Sequence, residues 1–342
     1  MTNALIQRNL PTWKINDPTK LSGFLECNRK YFYEYVLGWR PETPNNHLIF
    51  GSAWHKAQEH LLLNGYDVKN VMKAYEEMVK EYRKELGPET DEMFTPKTME
   101  NALIVLNAYA KHFEKDLEDW EPKYVEIAGK INLTDDLVLH FRMDSILKHR
   151  FKEKVKSIEH KTGSNTWNWE LQWPLSNQNG TYTHVMNCLF HPDMVQGVVF
   201  RGSFFKKAKK AWEQLKSGTP LTVLPPYDFV EFPAQKSKEQ MQVWLWNTIS
   251  HLDALDFQFE MLGDCAEEDP VMYAFPMNPT SCSKWFGCQY LDYCQAWPNP
   301  LRKCYQPPLG FKEDHWDPSA KEARHVFEIE AGGVKNESET KL

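Results

Sequence analysis

The chain contains no uninterrupted run of eighteen apolar residues, so no segment reads as a helix that crosses a bilayer. It has no internal repeat, which excludes solenoids and propellers. It also lacks a glycine-rich phosphate loop ending in Lys-Ser or Lys-Thr, which excludes a nucleotide-driven motor of that kind. The first residues, Met1-Thr2-Asn3-Ala4-Leu5-Ile6-Gln7-Arg8, lack the apolar core of a leader peptide. A reducing cytoplasm is therefore expected, and disulfides are the least expected use of the seven cysteines. Positive charge is in short supply as well. Forty Lys and Arg against 47 Asp and Glu leave a formal charge of −7, which argues against nonspecific coating of nucleic acid, because that affinity comes from phosphate neutralisation.

What is present is a chain of 342 residues, 42% hydrophobic, long enough to bury a substantial core as one elaborated domain or two tightly joined ones. One domain over residues 1–328 is expected, followed by a polar tail, 329–342, expected to be disordered. Val68 to Leu86 and Lys97 to Trp120 read as amphipathic helices within a helical insertion at about 62–122. Strands gather from about 123, and a catalytic core is placed at 123–232. Further strands are expected near Met194 to Phe204 and Leu221 to Phe232, then a long helix from Ser237 to Leu255.

The most informative stretch runs from Asp144 to Lys161. Leu137 to Leu147 and Lys154 to Thr162 read as a hairpin with a charged connection. A symmetric turn near Arg150 and Phe151 sets Asp144 roughly opposite Ser157, with Asp144, Glu159 and Lys161 on one face. Two carboxylates brought together repel unless a cation lies between them or one keeps a proton. A hard divalent metal is the natural occupant, and the implied chemistry is phosphodiester hydrolysis, with Lys161 orienting water or steadying developing negative charge. After Trp173-Pro174-Leu175 an expected helix carries Gln178 and Tyr182 on one side. Upstream, Phe50-Gly51-Ser52-Ala53-Trp54-His55 reads as a turn feeding a helix with Ser52 as its cap, and His55 is a candidate further metal ligand.

In this order, Gly51-Ser52-Ala53-Trp54-His55, Glu126, Asp144, Glu159-His160-Lys161 and Gln178-Asn179-Gly180-Thr181-Tyr182, the chain resembles the RecB-like branch of the PD-(D/E)XK nuclease superfamily. The resemblance implies an α/β (α+β) restriction-endonuclease-like core, a central mixed sheet flanked by helices. It implies that His55, Asp144, Glu159 and the backbone carbonyl of His160 hold Mg²⁺ or Mn²⁺, that Lys161 is the catalytic lysine, and that Gln178 and Tyr182 help place the DNA strand. Glu126 matches loosely, in a supporting role at best.

The opening Leu21-Ser22-Gly23-Phe24-Leu25-Glu26-Cys27-Asn28-Arg29-Lys30 resembles the same branch, in which a cysteine precedes Arg-Lys. Cys282, Cys288 and Cys294 follow near the other end, with five residues between successive members. Four thiolates can hold a [4Fe–4S] cluster. Similarity to CRISPR adaptation nucleases and AddB-type nuclease domains implies such a cluster on Cys27, Cys282, Cys288 and Cys294, in a region at about 276–305. Those relatives often have two residues between the first two cysteines of the trio, against five here. Buried free thiols and structural zinc stay open as alternatives, Cys304 is a possible substitute within the trio, and Cys188 and Cys265 read as spare.

Local charge departs from the total. His140 to Lys161 carries seven Lys or Arg against three acids, and Arg201 to Lys216 six against one. Lys206, Lys207, Lys209 and Lys210 are candidate contacts to a DNA backbone, or a solvated surface. The expected function is a metal-dependent DNA nuclease, an exonuclease on single strands or DNA ends, serving recombination, repair or DNA processing in a bacterial, archaeal or phage setting. Any unwinding would need a helicase or recombination partner. Two alternatives stand: a weakly active or non-cleaving DNA-binding subunit, and an RNA-processing nuclease.

Overall fold

Backbone hydrogen bonding in a computed structural model defines the elements, and residues 5–207, 226–284, 287–320, 323–330 and 333–340 are described. The chain divides into two compact units, each assembled from separate stretches: Met1–Thr43, Ala128–Arg142 and Ser237–Ser338 form the first, and Pro44–Ile127, Met143–Lys236 and Glu339–Leu342 the second. Where one elaborated domain is expected, the chain thus threads back and forth, and no linker separates sequential domains. Among the described residues no helix is long and apolar enough to cross a membrane.

Strands β2 (Trp120–Asn132), β3 (Val138–His149), β4 (Val155–Gly163), β5 (Val195–Phe205), β6 (Tyr227–Ala234), β8 (His325–Glu330) and β9 (Gly333–Glu339) form a sheet in the order β6-β5-β4-β3-β2-β8-β9. It is mixed: β3 and β4 are antiparallel, β4 and β5 parallel, β5 and β6 antiparallel. The short β1 (Trp39–Pro41) pairs separately with β7 (Phe311–Glu313). Strand β5 is buried almost throughout, as expected of a central strand covered on both faces. Strand β3 alternates, burying Leu139, Phe141 and Met143 and leaving His140, Arg142 and Asp144 partly open. Residues 333–339, expected to be disordered, instead form β9, which is almost wholly exposed. An edge strand is held by backbone hydrogen bonds, so its polar side chains carry no apolar signal that a composition argument could detect.

The first unit packs helices α1 (Pro18–Glu26), α2 (Asn28–Tyr31) and α8 (Lys238–Asp264) with α9 (Leu291–Ala296) around an aromatic core that includes Tyr31, Phe32, Tyr33, Trp39, Phe275 and Tyr290. A π-helical turn over Phe32–Val36 has no counterpart in the sequence reading. Helix α8 begins in a complete capping box, Ser237 with Gln240, and runs well beyond the expected end at Leu255.

In the second unit α3 (Asn46–Asn64), α4 (Val68–Tyr82) and α5 (Met99–His112) surround a core of Phe50, Trp54, Leu61, Tyr82, Tyr109 and Phe205. Helix α4 buries Val71, Ala74, Met78 and Tyr82, spacings of three and four that define one face. Helix α3 begins six residues before Ser52, capped by the Asn45 side chain, so Ser52 is an interior helical residue rather than the expected cap. The expected helix to Trp120 ends at His112, and a short α6 (Asp116–Asp119) follows. Helix α7 (Asn177–Leu189) is capped by Ser176, which leaves Trp173-Pro174 outside it, in the connection from β4. Of the expected strand from Leu221 to Phe232, residues 221–225 lie outside the described residues.

Candidate active site

The second half of strand β4 carries Glu159, His160 and Lys161, and its pairing with β3 decides what they meet. Ser145 stands opposite Ile158 and Ile146 opposite Ser157, which places Asp144 beside Glu159 rather than opposite Ser157 as expected. The turn is centred one residue later than expected, which shifts every cross-strand partner by two. Because strand side chains repeat every two residues, that shift keeps Asp144, Glu159 and Lys161 on a common face.

The two carboxylates are interlocked. The Asp144 backbone N–H donates to Glu159 Oε1 at 3.0 Å, and the His160 N–H donates to Asp144 Oδ2 at 2.7 Å. From α3, His55 Nδ1 lies 2.9 Å from Asp144 Oδ1. From α7, Gln178 Nε2 donates to Glu159 Oε2 at 3.3 Å and to the Tyr182 hydroxyl at 2.9 Å. Lys161 Nζ stands 3.8 Å from Glu159 Oε2 and 5.8 Å from the Trp173 ring centre. His55, Asp144, Glu159, Lys161, Gln178 and Tyr182 thus converge from two strands and two helices of the second unit.

Electrostatics separates the two acids. Burial pushes the Glu159 carboxyl well up, and the adjacent Asp144 charge pushes it further. Burial also works upward on Asp144, but the His55 side chain facing it, with His160 and Lys161 nearby, brings that carboxyl below the usual range. One acid is ionised and its neighbour keeps a proton, one of the two resolutions open to a buried carboxylate pair. Among the described residues no three His, Cys, Asp or Glu side chains are preformed as a metal-binding group. The donors just named account for this, since each carboxylate oxygen already faces a protein N–H or ring nitrogen. The donor set nevertheless suits a hard divalent cation: two carboxylates and an imidazole within one cluster, with a second charge to neutralise once Glu159 loses its proton.

Glu126 on β2 is buried, lies close enough to raise Glu159 further, and has a left-handed backbone with φ of 52°. For a residue with a side chain, that conformation costs on the order of 1 kcal/mol and is found where local structure forces it, often beside functional groups. The His160 ring is buried with neither nitrogen hydrogen-bonded among the described residues, and burial lowers it to about 3, so it stays neutral.

The basic segments divide differently from their sequence count. Arg201 is wholly buried and donates to Tyr109, Asp116 and Glu231, so it belongs to the interior and adds nothing to a nucleic-acid-facing surface. Lys206 pairs with Asp228, Lys207 is exposed, and Lys209 and Lys210 lie outside the described residues.

Lys97 is a residue that the sequence reading treated only as a helix boundary. It is 4% exposed, donates to Thr162 Oγ1 at 3.2 Å one position after Lys161, and is lowered to about 8 by burial. A lysine immediately before a helix cap carries no sequence signal of burial. Because the folded state holds this proton less tightly than the unfolded chain, the cost is present in full below about pH 8 and fades as pH rises toward 10.4. Lys97→Met should therefore stabilise the protein at pH 7, by up to about 3 kcal/mol less about 1 for the lost hydrogen bond, with the gain gone near pH 10. Urea denaturation of both proteins at the two pH values checks this; an equal difference at both would contradict it.

In the first unit, Cys27 caps the end of α1, Cys282 follows a 3₁₀ turn, and Cys294 lies on α9. Burial raises Cys294 to about 11, and Cys27, Cys288 and Cys282 add to the shift, which brings all four thiols within electrostatic reach of one another. Burial raises Cys288 too, with Cys27 and Cys282 contributing. Cys304 instead has Glu267 and Arg8 as its charged neighbours, away from the trio it was considered for.

Comparison with curated proteins gives no match to this chain. The sequence profile of the PD-(D/E)XK nuclease superfamily, in contrast, matches residues 18–295, most of the chain, and the protein belongs to that superfamily.

Proposed function

We propose that this nuclease is a Mg²⁺- or Mn²⁺-dependent deoxyribonuclease of the RecB-like branch, an exonuclease on single-stranded DNA or DNA ends, working in recombination, repair or DNA processing. The observation that carries the reading is the convergence of Asp144 and Glu159 with Lys161, His55 and Gln178 in one polar cluster. Asp144, Glu159, His55 and the His160 carbonyl would hold the cation. When bound, it supplies Lewis-acid polarisation of the phosphate and lowers the pKa of attacking water. Lys161, a flexible ammonium beside Glu159, orients that water or meets charge developing on the phosphate. Gln178 donates to both Glu159 Oε2 and the Tyr182 hydroxyl, which holds the carboxyl group in position. The test is cleavage of end-labelled single-stranded, duplex and closed circular DNA and of matched RNA, with Mg²⁺, Mn²⁺ or chelator. Metal-dependent loss of linear DNA with circles spared supports the reading; cutting of circles makes the enzyme an endonuclease, and preference for RNA makes it a ribonuclease.

One observation favours a second reading, a DNA-binding subunit that cleaves weakly. Each carboxylate oxygen is already engaged by a protein donor, and a cation must displace those contacts. Tight DNA binding without cleavage under any divalent metal would support it.

The [4Fe–4S] cluster is part of the same proposal, on Cys27, Cys282, Cys288 and Cys294. Its support is that Cys288 and Cys294 pack against the aromatic core, are raised by burial, and each have Cys27 and Cys282 among their electrostatic neighbours, so that uptake of a metal that binds thiolates must release protons. Anaerobically purified protein should contain iron and absorb visible light, and Cys288→Ser should lose both together with thermal stability. Zinc in place of iron would mean a structural zinc site, and full iron retained in Cys27→Ser would remove Cys27 from the set.

A further inference from the structure

The connection from β4 to α7, residues 164–176, starts three positions after Lys161 and ends at Ser176, the cap two positions before Gln178. Both of its ends are therefore fixed at the candidate active site. Two of its three tryptophans are anchors. Trp173 stacks on Phe200 with ring centres 4.2 Å apart and planes 9° from parallel, and it also underlies Lys161 Nζ. Trp169 packs edge-on against Trp173 and Phe204, and it sits where Gly202 offers only hydrogen: a Cβ there would stand 2.9 Å from the Trp169 ring. Both anchors are 8% exposed. The third, Trp167, is 79% exposed, with the left-handed Asn168 separating it from Trp169. Leu171 and Leu175 on the same connection are exposed by 74% and 83%.

We propose that Trp167 is a stacking residue for an unpaired base of the substrate strand, on an apolar connection that admits single strands to the active site. The inference rests on the nuclease reading and specifies what its substrate must present. Three features favour bases over other occupants. The connection adjoins the catalytic lysine, so whatever covers it shares space with the substrate. Within the connection the only charged side chain is Glu170, and the exposed Trp167, Leu171 and Leu175 present apolar area that suits the flat, uncharged faces of bases. Its anchors are buried and ring-packed, so Trp167 projects from an ordered base and stacking requires little further ordering. A paired duplex buries its base faces in its own stack and leaves none for Trp167 to meet. Stacking tolerates any base, so the residue selects for strandedness and not for sequence.

The test uses the full-length protein in chelator, so that binding is read without cleavage. Its probes are a labelled single-stranded oligonucleotide, the same strand with consecutive abasic positions, and a blunt duplex. Trp167→Ala should weaken binding of the ordinary strand roughly five- to a hundredfold, with Trp167→Phe retaining most of the affinity. The two proteins should bind the abasic strand and the duplex equally, and an unchanged melting curve would show that the fold is intact. Unchanged affinity for the ordinary strand, or equal weakening on the abasic strand, overturns the proposal. If Trp167→Ala binds all three probes normally but loses a partner protein that the wild type retains, the connection is a protein-docking surface instead. Failure of the wild type to bind or cleave any nucleic acid would overturn the nuclease reading along with this one, whereas intact binding and cleavage with an indifferent Trp167→Ala overturns this one alone.

Discussion

Glu159→Gln and Lys161→Ala are each expected to reduce cleavage by at least about 10²–10³-fold, the scale on which removing one group that stabilises developing charge acts. Neither should unfold the protein, for different reasons. In the metal-free site burial and Asp144 already keep a proton on Glu159, so glutamine replaces a neutral carboxyl with a neutral amide of the same shape. Its side-chain oxygen can still accept from the Asp144 N–H, the contact made at 3.0 Å by Glu159 Oε1. What glutamine lacks is the charged form that a cation needs. Lys161 is partly exposed and stands 3.8 Å from its acidic neighbour, a pair whose loss costs about 1 kcal/mol or less. The measurement is turnover of end-labelled DNA beside thermal melting with and without Mn²⁺. A ligand that binds only the folded state raises the melting temperature, so the wild type should show a Mn²⁺-dependent rise that Glu159→Gln lacks. Undiminished turnover in either variant would refute the assigned core.

The second large effect is on stability and lies in the interior beside the site. Arg201 is 0% exposed, its guanidinium centre is 3.7 Å from the Phe113 ring centre, and its nitrogens reach Tyr109 Oη at 2.8 Å, Asp116 Oδ2 at 2.6 Å and Glu231 Oε1 at 2.6 Å. Arg201→Met removes the cation that contacts all three and leaves two carboxylates and a hydroxyl to find new partners, with Lys156 within electrostatic reach of both acids. Breaking a buried pair in this way costs about 3–5 kcal/mol. Asp116 and Glu231 both retain a route to water, at 22% and 41% side-chain exposure, so a value near 3 kcal/mol is expected. Lys206→Met is the control. It breaks the half-exposed pair with Asp228, for which a change of about 1 kcal/mol or less is expected. Chemical denaturation of the three proteins decides the matter: equal, small losses for Arg201 and Lys206 would mean that the buried cluster contributes no more than a surface pair.

That contrast shows where reading residues in order loses information. Arg201 and Lys206 stand five positions apart and count equally in a basic surplus, yet one is neutralised in the interior and the other lies at the surface. Charge counts along a strand say nothing about which face a residue takes or what the neighbouring strand brings to it. Lys97 makes the same point, because its burial depends on packing around a helix start. The β9 segment is the converse case, since a polar composition does not prevent a strand whose bonds are all in its backbone.

The site itself was largely legible because its chemistry requires particular residue types at short spacings. Asp144, Glu159 and Lys161 alternate on a hairpin, and Gln178 and Tyr182 lie one helical turn apart, so local periodicity alone assigns them to shared faces. Cys27, Cys282, Cys288 and Cys294 stood out in the sequence by resemblance, through a cysteine before Arg-Lys and a later trio. Tertiary structure decided the rest. The hairpin turn is centred one residue later than expected, a two-residue shift in pairing, since backbone pairing with buried neighbours sets register more strongly than the charge pattern of a loop. The contact of His55 with Asp144 spans 89 positions, and only the packing of α3 makes it. Sequence determined which groups were available and which faces they shared; the three-dimensional fold determined which acid keeps a proton, which arginine is buried, and which tryptophan of the connection after β4 is left facing solvent, because burial and long-range proximity are properties of the packed chain.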